Sequence, residues 1–242
     1  MARTGLRKVV EVIYPPQCML CGDPVAEAGL CGSCWRETPF LTSQGCPLCA
    51  APLIGANVGN EALCDDCLKV PRPWSMGRAA MKYEGGGRRL VLGLKHGDRT
   101  ENAALLGRWM ASAAADMLED DPLIVPVPVH WRRLVHRRYN QAALLSRAVA
   151  RAAGLDHCVD LLLRRRATPT QEGRDWDGRF RNVESAISAN PLREHLAYER
   201  TVVILDDVFT SGATFTACSE ACLAAGAEEV RVLALARVVK EP

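Results

Sequence analysis

Val202-Val203-Ile204-Leu205-Asp206-Asp207-Val208-Phe209-Thr210-Ser211-Gly212-Ala213-Thr214 is the stretch that decides the fold. Residues 201–205 are β-branched or leucine and carry no charge, the composition of a strand buried on both faces. Residues 206–213 read as a polar, glycine-containing turn and residues 214–225 as a helix. Gly226 ends that helix, and residues 230–236 form a second strand with few polar residues. Strand, loop, helix, strand is a βαβ unit, which requires a parallel sheet covered by helices. The sequence therefore predicts an α/β fold with an open, mostly parallel sheet flanked by helices.

The same stretch predicts a site. Asp206 and Asp207 fall at the C-terminal end of a strand, where ligands bind in open α/β sheets. The backbone N–H groups of residues 211–214, with the hydroxyls of Thr210, Ser211 and Thr214, suit a monophosphate at a helix N-terminus. Gly212 lets the backbone approach a phosphate, and Ala213 belongs to the same run of amides. Two carboxylates beside an anion cradle repel the anion unless they accept hydrogen bonds from a sugar diol or meet a cation.

Outward from this unit, residues 74–83 read as an extended segment ending at Gly85-Gly86-Gly87. Residues 90–94 are apolar and lead to Lys95, and residues 102–118 read as a helix. Residues 123–129 form a β-type run interrupted by Pro126 and Pro128, and Asn140 reads as a helix cap. Residues 164–191 are polar and rich in arginine, too long for an inert connection, and are predicted to be a mobile functional loop. Further basic candidates for an anion site are Lys95, Arg132, Arg133, Arg165, Arg174 and Arg179, together with the backbone around Pro128 and His130.

Of the 11 cysteines, 8 lie between Cys18 and Cys67 as four CxxC knuckles: Cys18/Cys21, Cys31/Cys34, Cys46/Cys49 and Cys64/Cys67. Two intervening residues let both sulfurs of a knuckle face one ion, so eight cysteines make two tetrahedral zinc sites. Short loops favour pairing neighbouring knuckles, and a cross-braced pairing is the alternative. Four-thiolate sites have no open coordination position, so their part is scaffolding. The segment is poor in apolar residues and is expected to need zinc to fold. Pro71-Arg72-Pro73 marks a boundary between a double zinc-ribbon domain at residues 1–70, with a short lead helix, and an α/β domain at residues 74–242. Cys158, Cys218 and Cys222 stand apart and are expected to be buried small hydrophobes.

Composition narrows the function. The 242 residues hold 30 basic and 28 acidic side chains, a net +2, with 13 aromatics. Two zinc ions on eight thiolates would take the net charge to about −2. Such a balance argues against a stand-alone nucleic-acid-binding factor and against a base-stacking surface. The charge is uneven: residues 71–181 sum to +8 and residues 182–242 to −4. No run reads as a signal peptide or a membrane span, so a cytoplasmic protein is expected.

The stretch from Val202 to Thr214 resembles the signature of type I phosphoribosyltransferases. Combined with the double ribbon, the chain resembles the ComF family, linked in bacteria to competence and uptake of external DNA. Val125-Pro126-Val127-Pro128, Arg138-Tyr139-Asn140-Gln141 and the Thr170-Gln171…Arg181-Asn182 region stand in that family's order. The resemblance implies that Asp206 and Asp207 hold ribose hydroxyls and residues 210–214 the 5′-phosphate of phosphoribosyl pyrophosphate, with magnesium. It implies transfer of the phosphoribosyl group to a nitrogen acceptor or, alternatively, a non-catalytic phosphoribosyl-binding module. The implied partners are DNA-translocation or recombination proteins. Thr210 stands where purine-salvage relatives carry a proton-accepting Asp, which argues against purine salvage. The family's usual Arg-Gly-Phe-Asn-Gln is here Arg137-Arg138-Tyr139-Asn140-Gln141. Metal analysis of the purified chain is expected to find about two zinc ions per molecule, and one or none would overturn the double-ribbon reading.

Overall fold

The computed structural model describes residues 15–41, 45–53, 62–96, 99–130, 139–166 and 186–239. The predicted lead helix, most of the 164–191 loop, and Arg132, Arg133, Arg174 and Arg179 lie outside these residues. Two short helices, α1 (Gly32–Arg36) and α2 (Asp65–Lys69), belong to the cysteine-rich part. Then follow β1 (Met76–Lys82), α3 (Gly85–His96), α4 (Ala103–Ala113), β2 (Leu123–Pro126) and α5 (Gln141–Ala153). The chain continues through β3 (Leu162–Arg164), β4 (Ile187–Ala189), β5 (Thr201–Phe209), α6 (Ala213–Ala224) and β6 (Glu229–Arg237).

The main sheet has the order β1-β6-β5-β2 with every pair parallel, and β3 and β4 form a separate antiparallel pair. Side chains alternate across β5. Val202 and Ile204 join Phe215, Cys218 and Cys222 of α6 in one core, while Val203 and Leu205 join Leu94, Met110 and Leu145 from α3, α4 and α5 in another. Both faces of the sheet are thus covered, which is why β5 is apolar along its length. Cys218 and Cys222 are fully buried, and burial pushes the Cys222 thiol up to about 12, so these residues pack as small hydrophobes. Among the described residues, no helix is long and apolar enough to cross a membrane.

Several boundaries differ from the sequence reading. β5 runs on to Phe209, so Asp206 and Asp207 sit inside the strand and not in a turn. The cause is continued pairing, with Val208 opposite Ala236 and Phe209 opposite Arg237. The triple glycine opens α3 rather than closing an extended segment. The helix predicted over 102–118 ends at Ala113 and finishes as a 3-10 turn at Ala115–Met117. The strand predicted over 123–129 stops at Pro126, although the Val127 N–H still donates to the Leu205 carbonyl at 2.8 Å. The two ends of the predicted long loop pair as β3 and β4.

The cysteine-rich part does not hang from the sheet as a separate bead. The Leu41 N–H donates to the Ala80 carbonyl at 3.0 Å and the Lys82 N–H to the Pro39 carbonyl at 2.8 Å, and Phe40 bridges antiparallel to Met81. The Gly77 N–H donates to the Pro47 carbonyl at 2.8 Å. The outer rim of β1 is therefore occupied by backbone from the ribbons. Cys46, Cys49, Ala51 and Cys67 share the core of α6 and β5, which answers the shortage of apolar residues within the ribbon itself.

Gly77 allows this approach, because a Cβ there would be driven into the backbone of Leu48. Gly77→Ala is expected to destabilise the protein by about 2 kcal/mol or more. Gly93→Ala, inside α3 with only ordinary contacts around the new methyl, should stabilise by about 0.5–1 kcal/mol. Thermal unfolding of both variants measures the contrast, and a Gly77→Ala protein as stable as wild type would contradict the docking described.

Candidate functional site

Two sets of four sulfurs are assembled: Cys18, Cys21, Cys31 and Cys34, and Cys46, Cys49, Cys64 and Cys67, with the ligand atoms of each set within 4.8 Å of one another. Neighbouring knuckles pair, and the cross-braced alternative is not the arrangement found. Each knuckle pair is built alike. The Gly22 N–H donates to the Cys18 carbonyl at 3.0 Å, as the Ala50 N–H does to the Cys46 carbonyl at 2.8 Å. α1 and α2 each begin directly after the third cysteine of their set. The thiols of the second set perturb one another strongly. Hydrogen bonds from Cys49 and Cys67 draw Cys46 down, while Cys46 and Cys49 drive Cys67 up. Four crowded sulfurs that cannot all ionise unaided fit a dication that binds thiolate, and the donor chemistry fits zinc.

At the other end of the argument lies the tip of β5. Asp207 is buried and forms an ion pair with Lys95, Nζ to Oδ2 at 3.1 Å. Asp206 leaves the opposite face of the strand, the face of α6, and its Oδ1 accepts the N–H of Asp207 at 2.8 Å. Burial first, and then the charge of Asp207, push the Asp206 carboxyl up to about 7, against the opposing pull of that N–H and of Lys95 and Arg164. The carboxylates therefore flank the strand end from two sides rather than standing side by side.

After Phe209 the chain turns sharply. Gly212 has φ +87°, and a Cβ there would meet Arg72, Phe209 and Trp74. The glycine is thus required by the left-handed backbone and the packing beneath it, a reason the sequence does not display. Ser211 is buried and its Oγ faces the Ala213 N–H at 3.4 Å, so its hydroxyl serves the opening of α6, whereas Thr210 and Thr214 are partly exposed. Gly212 offers no side-chain cap to α6, and its carbonyl accepts the Thr216 N–H at 2.8 Å.

Residues 9–68 match the family described as the Double zinc ribbon domain. The DNA utilization protein YhgH of Salmonella typhi is 32% identical over 233 residues, spanning 93% of this chain and 98% of that protein. The chain belongs to the ComF family. Competence protein F of Haemophilus influenzae is another relative, 28% identical over 88% of this chain and 92% of its own length. Among solved structures, the glutamine phosphoribosylpyrophosphate amidotransferase of B. subtilis superposes with a TM-score of 0.41 at 18% identity. It covers 60% of this chain but only 30% of that enzyme, too partial an overlap to bear on activity.

Other residues of this ComF chain are arranged around the β5 tip. The pairing of β2 with β5 carries Pro128 and His130, both buried, toward the end of the sheet where Asp206 and Asp207 lie. The Asn140 amide caps α5 through the Ala142 N–H at 3.1 Å and donates to the Val127 carbonyl at 3.1 Å, while the Tyr139 hydroxyl donates to the Leu94 carbonyl at 3.1 Å. The Tyr139-Asn140 pair thus fixes the backbone on either side of the site, beside Lys95. Arg165 is exposed and donates to Ser188 Oγ at 2.9 Å across the β3–β4 pair, whereas its neighbour Arg164 is the one whose charge reaches Asp206.

Sequence reasoning missed Arg72 and Arg237, both of which touch the 209–211 backbone. A Ser–His contact is likewise unmarked by any local motif. Ser146 Oγ and His157 Nε2 do meet at 2.8 Å, but Ser146 is fully buried and the contact ties α5 to the chain beyond it.

The two metal sets differ in burial, since Cys21 is exposed whereas Cys46, Cys49 and Cys67 lie in the main core. Cys49→Ser and Cys21→Ser should each lose about one zinc. Only Cys49→Ser should lower the melting temperature of the whole α/β body substantially, which calorimetry with metal analysis would show. Equal effects would deny the second set its place in the core.

Proposed function

We propose that the chain binds 5-phosphoribosyl-1-pyrophosphate at the C-terminal end of β5 and transfers its phosphoribosyl group to a nitrogen acceptor. The role would lie in DNA utilisation or competence, as named for its relatives. On this reading residues 74–242 form a type I phosphoribosyltransferase domain and residues 1–70 a double zinc ribbon ahead of it. The observation that carries the proposal is the sequence of parts at one strand end: Asp206 and Asp207, then the glycine turn, then the opening of α6 without a side-chain cap from Gly212. A 5′-phosphate suits the amides and the Thr210 and Thr214 hydroxyls of that turn. Asp206, on the α6 side, and Asp207 would accept hydrogen bonds from the ribose hydroxyls.

The pyrophosphate would lie toward Lys95, the Pro128–His130 backbone and Arg164 or Arg165, with Lys95 exchanging its contact with Asp207 for the ligand. Among the described residues, the groups of three or more metal-ligating side chains are the two cysteine sets. Magnesium would therefore arrive on the pyrophosphate, with the carboxylates as partial ligands. In the transfer, the bond from the anomeric carbon to pyrophosphate breaks with its electron pair leaving on oxygen. The nitrogen lone pair forms the new bond with inversion, and the nitrogen's proton passes to water. The protein's part is electrostatic: cations against the departing charge and carboxylates against the cation-like sugar.

Calorimetric titration with phosphoribosyl pyrophosphate and magnesium is the test. Two lost charged hydrogen bonds predict that Asp206→Asn with Asp207→Asn weakens binding about a hundredfold. Pyrophosphate release across a panel of bases and amines then distinguishes transfer from binding alone. No binding by wild type would end the proposal. The Asp206 carboxyl is held above its unfolded value of about 4. Its contribution to stability is thus fully present below about pH 4 and is lost as pH rises through about 7. A diol prefers the ionised carboxylate, so affinity is expected to rise through the same window in wild type and to lose that component in Asp206→Asn.

A further inference from the structure

The second cysteine set and the proposed phosphate turn share two arginines. Arg237, on the last residue of β6, is buried at 4% exposure. Its Nε donates to the Cys49 carbonyl at 2.9 Å and its Nη2 faces Cys49 Sγ at 3.8 Å. Its Nη1 donates to the carbonyls of Thr210 and Val238, both at 2.6 Å, and of Phe209 at 3.1 Å. The guanidinium also lies 4.6 Å over the Phe209 ring. Arg72 approaches from the segment joining ribbon and sheet. Its Nη1 donates to the Ser211 carbonyl at 3.0 Å, and it stacks 5.4 Å from the Trp74 ring, whose Nε1 donates at 2.7 Å to the Leu48 carbonyl between Cys46 and Cys49.

Two consequences follow from elementary chemistry. A guanidinium cannot shed its proton, so a buried one needs negative charge nearby. Among the described residues Arg237 meets carbonyl oxygens and a cysteine sulfur, and four thiolates around one zinc would carry a net charge of −2. Zinc held by those thiolates would supply the counter-ion that the buried Arg237 requires. Second, a trans peptide points its C=O and the following N–H in opposite directions. With the carbonyls of Phe209, Thr210 and Ser211 held toward the arginines, the N–H groups of Thr210, Ser211 and Gly212 are turned the other way. Three successive amides aimed together make an anion-binding concavity.

We propose that Arg72 and Arg237 are positioning residues that couple zinc at the second cysteine set to the shape of the 209–212 turn, so that the loaded ribbon presets the amides that receive an anion. The consequence for ligand binding rests on the phosphoribosyl reading above, whereas the consequence for the turn does not.

The experiment is hydrogen exchange over residues 206–216 in the full chain, with zinc content measured for each protein. The proteins are wild type, Arg72→Met, Arg237→Met, Cys64→Ser in the second set and Cys21→Ser in the first. Arg72 is only half-buried, so Arg72→Met keeps the test valid if Arg237→Met fails to fold. Exchange at residues 209–213 should rise about tenfold in Arg72→Met and Cys64→Ser beyond any rise in β6. Cys21→Ser should lose its zinc and leave the turn unchanged. Phosphoribosyl pyrophosphate affinity should fall about tenfold in the same variants. Unchanged exchange in Arg72→Met and Cys64→Ser, or an equal change in Cys21→Ser, overturns the proposal even if every protein binds the ligand. Altered exchange together with no binding by wild type upholds the coupling and refutes the phosphoribosyl reading instead.

Discussion

Four sulfurs gathered within a few ångströms do not stay gathered unless a cation neutralises them, and much of this molecule leans on that constraint being met. The second cysteine set sits inside the same core as α6 and β5, so metal and hydrophobic packing are parts of one cooperative unit. The first set is more open, with Cys21 at the surface, and sits beside α3, whose Gly86 N–H donates to the Glu37 carbonyl at 3.1 Å. The ribbons are built alike yet carry unequal weight. One is buried structure and the other is closer to a cover.

Much of this was legible in the residues. The uncharged run ending in Asp206-Asp207 and the mostly apolar run at 230–236 identified a parallel βαβ unit, because a strand covered on both faces has no polar face to show. The four knuckles identified two tetrathiolate sites, because zinc accepts few other arrangements of eight evenly paired cysteines. Asn140 was readable as a cap because its side chain competes for the first free amide of α5.

What stayed hidden depends on contacts between distant parts of the chain. Nothing local distinguishes Arg72 and Arg237 from the other basic residues. Their role exists only because residues near 49, 72, 210 and 237 meet in space. The extension of β5 past the two acids was equally unreadable, since it is fixed by Ala236 and Arg237 on the neighbouring strand. The opposed facing of Asp206 and Asp207 follows from that extension: in a turn they could share a side, and in a strand they cannot. The candidate arginine at the β3–β4 pair illustrates the same limit, because one position of register decides whether Arg164 or Arg165 addresses the site.

The backbone seam along β1 carries a final implication. Leu41, Pro39 and Pro47 satisfy amides and carbonyls that would otherwise face water in a row. A truncated version beginning at the proline-rich joint would expose that row, together with the apolar residues the second ribbon covers. Such a fragment would be a template for self-association rather than a free-standing half. The ribbons thus shield the edge of the sheet, and each part completes the packing of the other in the folded chain.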